Sequence, residues 1–340
     1  MTWERRRPWW RSHTAAASIM LATAVLIACG LVGSVVWESL VEGRTQWSAA
    51  PLTPIDTPVA LPPNVQASVV TATFETILGA RSVQTAVYRL RENPRIIVVD
   101  FATLAEQGQM MNRLAALIEK TGAPRDRVLA EGELTALIQA EGSSAATFYI
   151  GHDYAAPALA RFYSLASFER QSLNEAEVRL RDLLLALGVI VARGAEGYAP
   201  GEPQVAVVTT VQLQRDDPAT PQNETIDASL RATILHHEVS HGEFFTNEAY
   251  RRYCEWFWRA RLTGKERDLF RAMLSKSGYN EDDETLMINE MQAHLMHTPD
   301  PRAFSAGRLC VSEAQLAELR QRFMAGNPPT FLLGGAPQGN

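Results

Sequence analysis

Beyond its first eleven residues, this 340-residue chain has no long run of lysine or arginine, and its formal net charge is only −6. Without a basic stripe there is no electrostatic footprint for DNA or RNA, so a nucleic-acid partner is excluded. Cysteine is equally scarce, and of the three only Cys254 and Cys310 fall in the part read below as folded. In an oxidising compartment they can make one disulfide at most, and each also sits in an apolar context where a buried free thiol is ordinary. No internal repeat is present, which excludes a solenoid. Hydrophobic residues make up 46% of the chain, so disorder is excluded too, and the length suffices for one large domain or two modest ones.

Charge is missing altogether from Ala15 to Trp37, "AAASIMLATAVLIACGLVGSVVW". A helix of that length reaches roughly 34 Å, against about 30 Å for a hydrocarbon core. Arg5, Arg6, Arg7 and Arg11 precede it, and Trp9, Trp10 and Trp37 flank it as interfacial aromatics. The expectation is a basic cytoplasmic segment at 1–14 and a single-pass transmembrane anchor at 15–37 in a bacterial inner membrane, with the remainder in the periplasm. Three other readings stay open. "LIAC" ending at Cys29 resembles a lipobox, "RRPWWR" resembles a twin-arginine signal, and the segment also reads as a cleaved signal peptide. All four place the bulk of the chain outside the cytoplasm. Residues 38–63 carry five prolines between Pro51 and Pro63 and read as an extended linker.

From Asn64 the pattern turns globular. Alternation in "SVQTAVYRL" and the apolar run "RIIVVDF" predict two strands joined as a hairpin at Glu92–Pro94. "TLAE" at Thr103 is a capping box for a helix running to Gly122, and a second helix is expected over Gly132–Ala140. A strand at "ATFYI", a helix opened by "SLNE" and ending at Gly188, and a β-branched strand at Gln204–Gln212 follow. The rest reads as helical. Strands mixed with helices followed by a helical block predict an α+β fold, with a mixed α/β part at 64–213, a helical metal-binding part at 214–333 and a tail at 334–340.

Histidine is rare as well, seven in all, yet three fall within "ILHHEVSHGEFF" at Ile234–Phe245. His237, Glu238 and His241 fit H-E-x-x-H. Histidines four apart on a helix project from one face, so both rings can reach one metal ion while Glu238 meets a metal-bound water. Ile226, Leu230, Ile234, His237 and His241 recur at steps of three or four, which puts the histidines on the inward stripe. His236 lies off that stripe and reads as a neighbour. Catalytic zinc needs a third protein ligand. "DDETLMINEMQAHLMHTP" offers one on a second helix, capped by Asp282 or Asp283 and ended by Pro299, where Leu286, Glu290, Ala293 and His297 share a face with His294 beside them.

Across residues 225–300 these motifs resemble the gluzincin zinc metallopeptidases, in which H-E-x-x-H supplies two histidine ligands and a glutamate on a later helix supplies the third. "NEMQAH" places Asn289 and Glu290 where the family's later helix has N-E, but His294 stands where its aspartate is expected. The resemblance implies Zn2+ on His237, His241 and Glu290, with Glu238 as general base. A further catalytic donor must steady the oxyanion, for which His294 and His297 are candidates. Tyr250, Tyr253 and Tyr279 are further candidates for steadying an oxyanion. Zinc would bring the pKa of a bound water to about 7, and Glu238 would pass its proton to the leaving amine. Phe244 and Asn247 stand where a metzincin needs glycine and histidine, and no aspartate serves as an aspzincin ligand within the motif.

Other features have plainer readings. "NEDDE" at 280–284 lacks calcium-loop spacing and reads as a charged helix start, and the aromatics of Tyr250–Arg261 read as core packing. His152, in "GHDY", has no role assigned. The expected function is therefore a membrane-anchored, extracytoplasmic zinc hydrolase acting on a peptide or protein, with the Gln204–Gln212 strand as an edge for an extended substrate. The rival readings are a catalytically silent zinc-binding module and a metal-free envelope binding or assembly protein.

Overall fold

The computed structural model describes residues 69–333 apart from 119, 202, 203, 221, 278 and 280. The expected anchor at 15–37, the linker and the tail lie outside the described residues. Five strands form one mixed sheet: β1 (Val69–Ala72), β2 (Ala86–Leu90), β3 (Ile96–Phe101), β4 (Asp153–Ala155) and β7 (Ala206–Val211), in the order β1-β2-β3-β7-β4. β5 (Ile190–Ala192) and β6 (Tyr198–Pro200) make a separate antiparallel pair.

The expectation of an α+β fold behind a transmembrane helix is corrected. The described residues form a mixed α/β fold, and no helix among them is long and apolar enough to cross a membrane. β1 runs parallel to β2, and β3 parallel to β7. Parallel neighbours need a crossover, and helices supply it. α1 (Phe74–Gly79) links β1 to β2, while α2 (Leu104–Ile118), α3 (Glu131–Ala140), α4 (Ala156–Phe168) and α5 (Glu175–Ala186) lie between β3 and β7. All six residues of β3 and of β7 are buried, as expected of strands covered on both faces.

Several expectations hold locally. β2 and β3 pair antiparallel as a hairpin, α2 starts after the capping box at Thr103 but spans Leu104–Ile118 rather than running to Gly122, and α3 forms where the second helix was expected. Residues 146–150 are not a strand; the chain there is turn and bend, and the short strand comes three residues later at Asp153. The helix begun by "SLNE" is instead capped by Asn174 paired with Glu177. β7 is not an edge, since β3 flanks it on one side and β4 on the other, so the β-pairing site expected at Gln204–Gln212 is withdrawn. Cys254 and Cys310 are both free thiols.

Alternation along the strands sends Ile97, Val99, Phe101, Val207 and Val211 into a core shared with α2, α4 and α5. The opposite face presents Ile96, Val98 and Val208 to α1 and to α6 (Ala228–Thr246). Asp100 lies on that second face and takes a bidentate pair from Arg231 of α6, at 2.8 and 2.9 Å. Arg231 also donates to the carbonyls of Val211 and Ile77, so the buried guanidinium pins α6 to β3, β7 and α1 together. Gly242 lets the helix come close, because a Cβ there would lie 2.9 Å from the Ile96 side chain. The remaining helices, α7 (Glu248–Trp256), α8 (Gly264–Lys276), α9 (Glu284–His297) and α10 (Glu313–Met324), build a second core around Phe257, Trp258, Phe270, Met287 and Phe323.

Candidate metal centre

The motif helix α6 and the later helix α9 pack against each other, and each start is set by a short polar side chain. Asp227 accepts from Leu230 N at 2.8 Å, and Asp283 accepts from Leu286 N at 3.0 Å. Arg302, just past α9, donates to both Asp227 and Asp300, and Ser229 donates to Asp300, so the first turn of α6 is tied to the segment following α9. Farther along, Gln292 donates to Ser240 Oγ at 3.3 Å, and Ser240 donates to the carbonyl of His237.

Between the helices the Glu290 carboxylate is surrounded by imidazoles. Oε2 lies 3.8 Å from His237 Nε2 and 3.6 Å from His294 Nε2, while Oε1 lies 3.6 Å from His241 Nε2. Donor atoms of His237, Glu290 and His294 all fall within 4.8 Å of one another. The expected triad was His237, His241 and Glu290, with His294 in a catalytic part. The structure brings all four together and moves His294 into the tight group, with His241 on the other carboxylate oxygen.

The hydrogen bonding of His237 fixes which nitrogen is free. Thr298 Oγ1 lies 2.8 Å from His237 Nδ1 and 2.9 Å from the carbonyl of Ala293. A hydroxyl has one proton, and the Ala293 carbonyl can only accept it. Thr298 therefore accepts from Nδ1–H, and Nε2 of His237 turns an unprotonated lone pair toward Glu290. Burial pushes His237 well below its ordinary pKa and lowers His241 to about 4 and His294 to about 3, with neighbouring imidazoles adding to the effect at His237 and His294. At neutral pH these rings are uncharged.

A neutral nitrogen lone pair facing a carboxylate oxygen inside a protein is unfavourable unless a cation lies between them. The spacing suits one: metal–nitrogen and metal–oxygen bonds of about 2.0–2.2 Å in tetrahedral array put neighbouring ligand atoms about 3.4 Å apart. Deprotonated imidazoles and a carboxylate are also the right donor types for a divalent transition metal. The residues present therefore fit a bound metal ion.

One further carboxylate borders the cluster. Asp153 of β4 pairs in register with Val208, which puts its side chain on the sheet face covered by α6, and its Oδ2 lies 3.3 Å from His241 Nε2. Nothing in the sequence pointed to Asp153; only the sheet register reveals it. Glu238 is fully buried and turned toward the same sheet edge, and a Cβ on Gly151 would come within 2.3 Å of its Oε1. His237 and His294 keep 6% exposure each while Asp153, Glu238, His241 and Glu290 have none, so solvent reaches the cluster from the His237–His294 side.

The other expected residues are placed differently. His297 Nε2 lies 3.1 Å from Tyr250 Oη, whose own proton goes to Gln292 Oε1 at 2.7 Å, so His297 is the donor in a buried network joining α7 and α9. Tyr253 donates to the carbonyl of Phe323 and packs in the helical core, and Tyr279 is buried there too. His236 packs against the Phe74 ring, and His152 Nδ1 lies 3.0 Å from Tyr154 Oη.

Compared with known proteins, the chain matches no family model, no curated protein and no solved structure. The gluzincin resemblance thus rests on the motif residues alone.

Proposed function

We propose that the protein is a zinc-dependent hydrolase that cleaves a peptide or protein substrate, with zinc held by His237, His294 and Glu290. The observation that carries this reading is the Thr298 hydroxyl, which holds His237 so that its free nitrogen faces the Glu290 carboxylate. A zinc ion at this position supplies Lewis acidity toward a carbonyl group and toward water. Glu238 follows His237 in the motif and serves as the group that takes a proton from water and returns it to the leaving amine. Its burial against Gly151 keeps it out of bulk solvent, where a carboxylate is a weaker base. Substrate enters from the side lined by His237 and His294. The compartment outside the cytoplasm is proposed from the order of charge in residues 1–37 of the sequence alone.

The test is Glu238→Gln in the full chain, assayed against unstructured peptides and for metal content. Loss of turnover by at least about 100-fold with zinc retained is expected, since general bases contribute on the order of 10²–10⁴. Zinc retained with no peptide hydrolysis even by the unaltered chain would favour a metal-binding module instead.

A further inference from the structure

The chain that follows α9 packs against His294, on the side from which solvent reaches the cluster. Its start is fixed at Asp300, which takes hydrogen bonds from Arg302 and from Ser229 of α6, while the amides of Ala303 and Phe304 close a turn onto the Asp300 carbonyl. That turn delivers Phe304 to the metal centre, its ring centroid 5.6 Å from that of His294. A second turn follows at once. Leu309 N donates to the carbonyl of Ser305 at 3.2 Å, Arg308 N donates to Ser305 Oγ at 3.4 Å, and Cys310 ends the turn with a φ of 57°. Residues four apart in a helical turn project to the same side, so Arg308 stands with Phe304 beside His294. Burial lowers the His294 imidazole most, and after His241 the next charge acting on it is that of Arg308.

Arg308 is a cation without an anion. It is half-buried, and among the described residues no carboxylate makes an ion pair with its guanidinium. Asp227 and Asp300, the acids that flank the segment, are both taken by Arg302. Arg320 of α10, 6.0 Å from the Phe304 ring, spends its Nε on the Leu295 carbonyl at 2.9 Å and has no carboxylate in ion-pair contact either. This flank of the centre therefore carries two guanidinium groups that no acid of the described chain matches. A guanidinium presents a planar fork of donors, and a carboxylate is the partner that fills it.

We propose that Arg308 is a specificity-determining residue, which binds a carboxylate of the peptide substrate next to the bond that is cut. This rests on the metal-site reading above and names its substrate class, peptides with a negative charge beside the scissile bond. A chain terminus and an acidic side chain present the same two oxygens, so the fork takes either. A neutral peptide in the same position leaves the guanidinium unpaired as it covers the site, and that loss is what discriminates.

The experiment measures, by calorimetry on the zinc-loaded full chain, the binding of three short peptide hydroxamates: one with a free terminal carboxylate, one with a glutamate side chain and an amidated terminus, and one without charge. A hydroxamate chelates zinc, so the uncharged compound reports the metal centre alone. At least one charged compound should bind about 10–100-fold more tightly than the uncharged one, the range expected of a charge-assisted hydrogen-bonded pair, and which one does so tells a terminal from a side-chain carboxylate. Arg308→Gln should bring that ratio close to one with zinc content unchanged. Arg308→Lys, which keeps the charge and loses the fork, should keep part of it. Should Arg308→Gln fail to fold, the ratios of the unaltered chain and of Arg308→Lys decide alone. Equal binding of all three compounds by the unaltered chain overturns the proposal and leaves the hydrolase reading standing, as does an Arg308→Gln protein that keeps the full ratio. A chain that binds none of the three has no accessible metal, and the hydrolase reading then falls together with the proposal.

Discussion

Thr298→Val isolates the contact on which the reading of His237 depends. The substitution keeps the shape of the side chain and removes its oxygen. His237 Nδ1–H then loses its 2.8 Å acceptor and the Ala293 carbonyl its 2.9 Å donor, both in the interior. Losing a partner that orients a metal-bound histidine weakens metal binding by roughly 10–100-fold, or about 1.4–2.7 kcal/mol. Leaving two buried polar groups unsatisfied also lowers stability of the metal-free fold by about 1–3 kcal/mol for each. The two effects separate by measuring zinc affinity with a chromophoric chelator on protein whose fold is checked by circular dichroism, and melting the metal-free form independently. Thr298→Ser keeps the oxygen and should restore most of the affinity. Unchanged zinc affinity in a folded Thr298→Val protein would refute the argument that Thr298 sets the free nitrogen of His237.

Gly151→Ala should cut turnover by about 100-fold with metal content unchanged, because the new Cβ takes the space of the Glu238 carboxylate; near-normal turnover would mean Glu238 is not the base. Asp100→Ala should destabilise the fold by about 3–5 kcal/mol, measured by urea denaturation, since it strands the buried Arg231 guanidinium; a loss under about 1 kcal/mol would show that the pair does not anchor α6. Hydrogen bonds from Arg302 hold the Asp300 carboxyl down at about 2, below its ordinary value near 4. A carboxyl depressed on folding contributes stability that is present above about pH 4 and lost as pH falls toward 2. Asp300→Asn should therefore flatten the fall in melting temperature between those two pH values, and an unchanged acid limb would contradict that assignment.

Much of the site was legible in the sequence because helical spacing is local information. His237 and His241 on α6 and Glu290 and His294 on α9 share faces by arithmetic, and Asp282 or Asp283 marked where α9 begins, whereas the Asp227 cap of α6 went unread. What was not legible depended on strands. Asp153 stands in a run, "GHDYAA", with neither alternation nor turn chemistry, and its place beside His241 follows from pairing with Val208, more than fifty residues away. The apolar "ATFYI" looked like a strand yet packs as turns, with Phe148 and Tyr149 filling a small core beside α2 and α3. Thr298 gave only a weak signal, a hydroxyl residue between the last helical histidine and Pro299. Parallel pairing of β1 with β2 and of β3 with β7 was hidden as well, because the direction of a buried strand is decided by the helices that cover it.

The most direct test of the account is elemental analysis of the full chain after equilibration with zinc and removal of excess, compared with Glu290→Ala treated in the same way. Glu290 is the residue that all three imidazoles of the cluster face, so the unaltered protein should retain at least one zinc per chain and the variant essentially none. An unaltered chain that retains no zinc, or a Glu290→Ala chain that retains as much, would contradict the claim that α6 and α9 hold a metal between them.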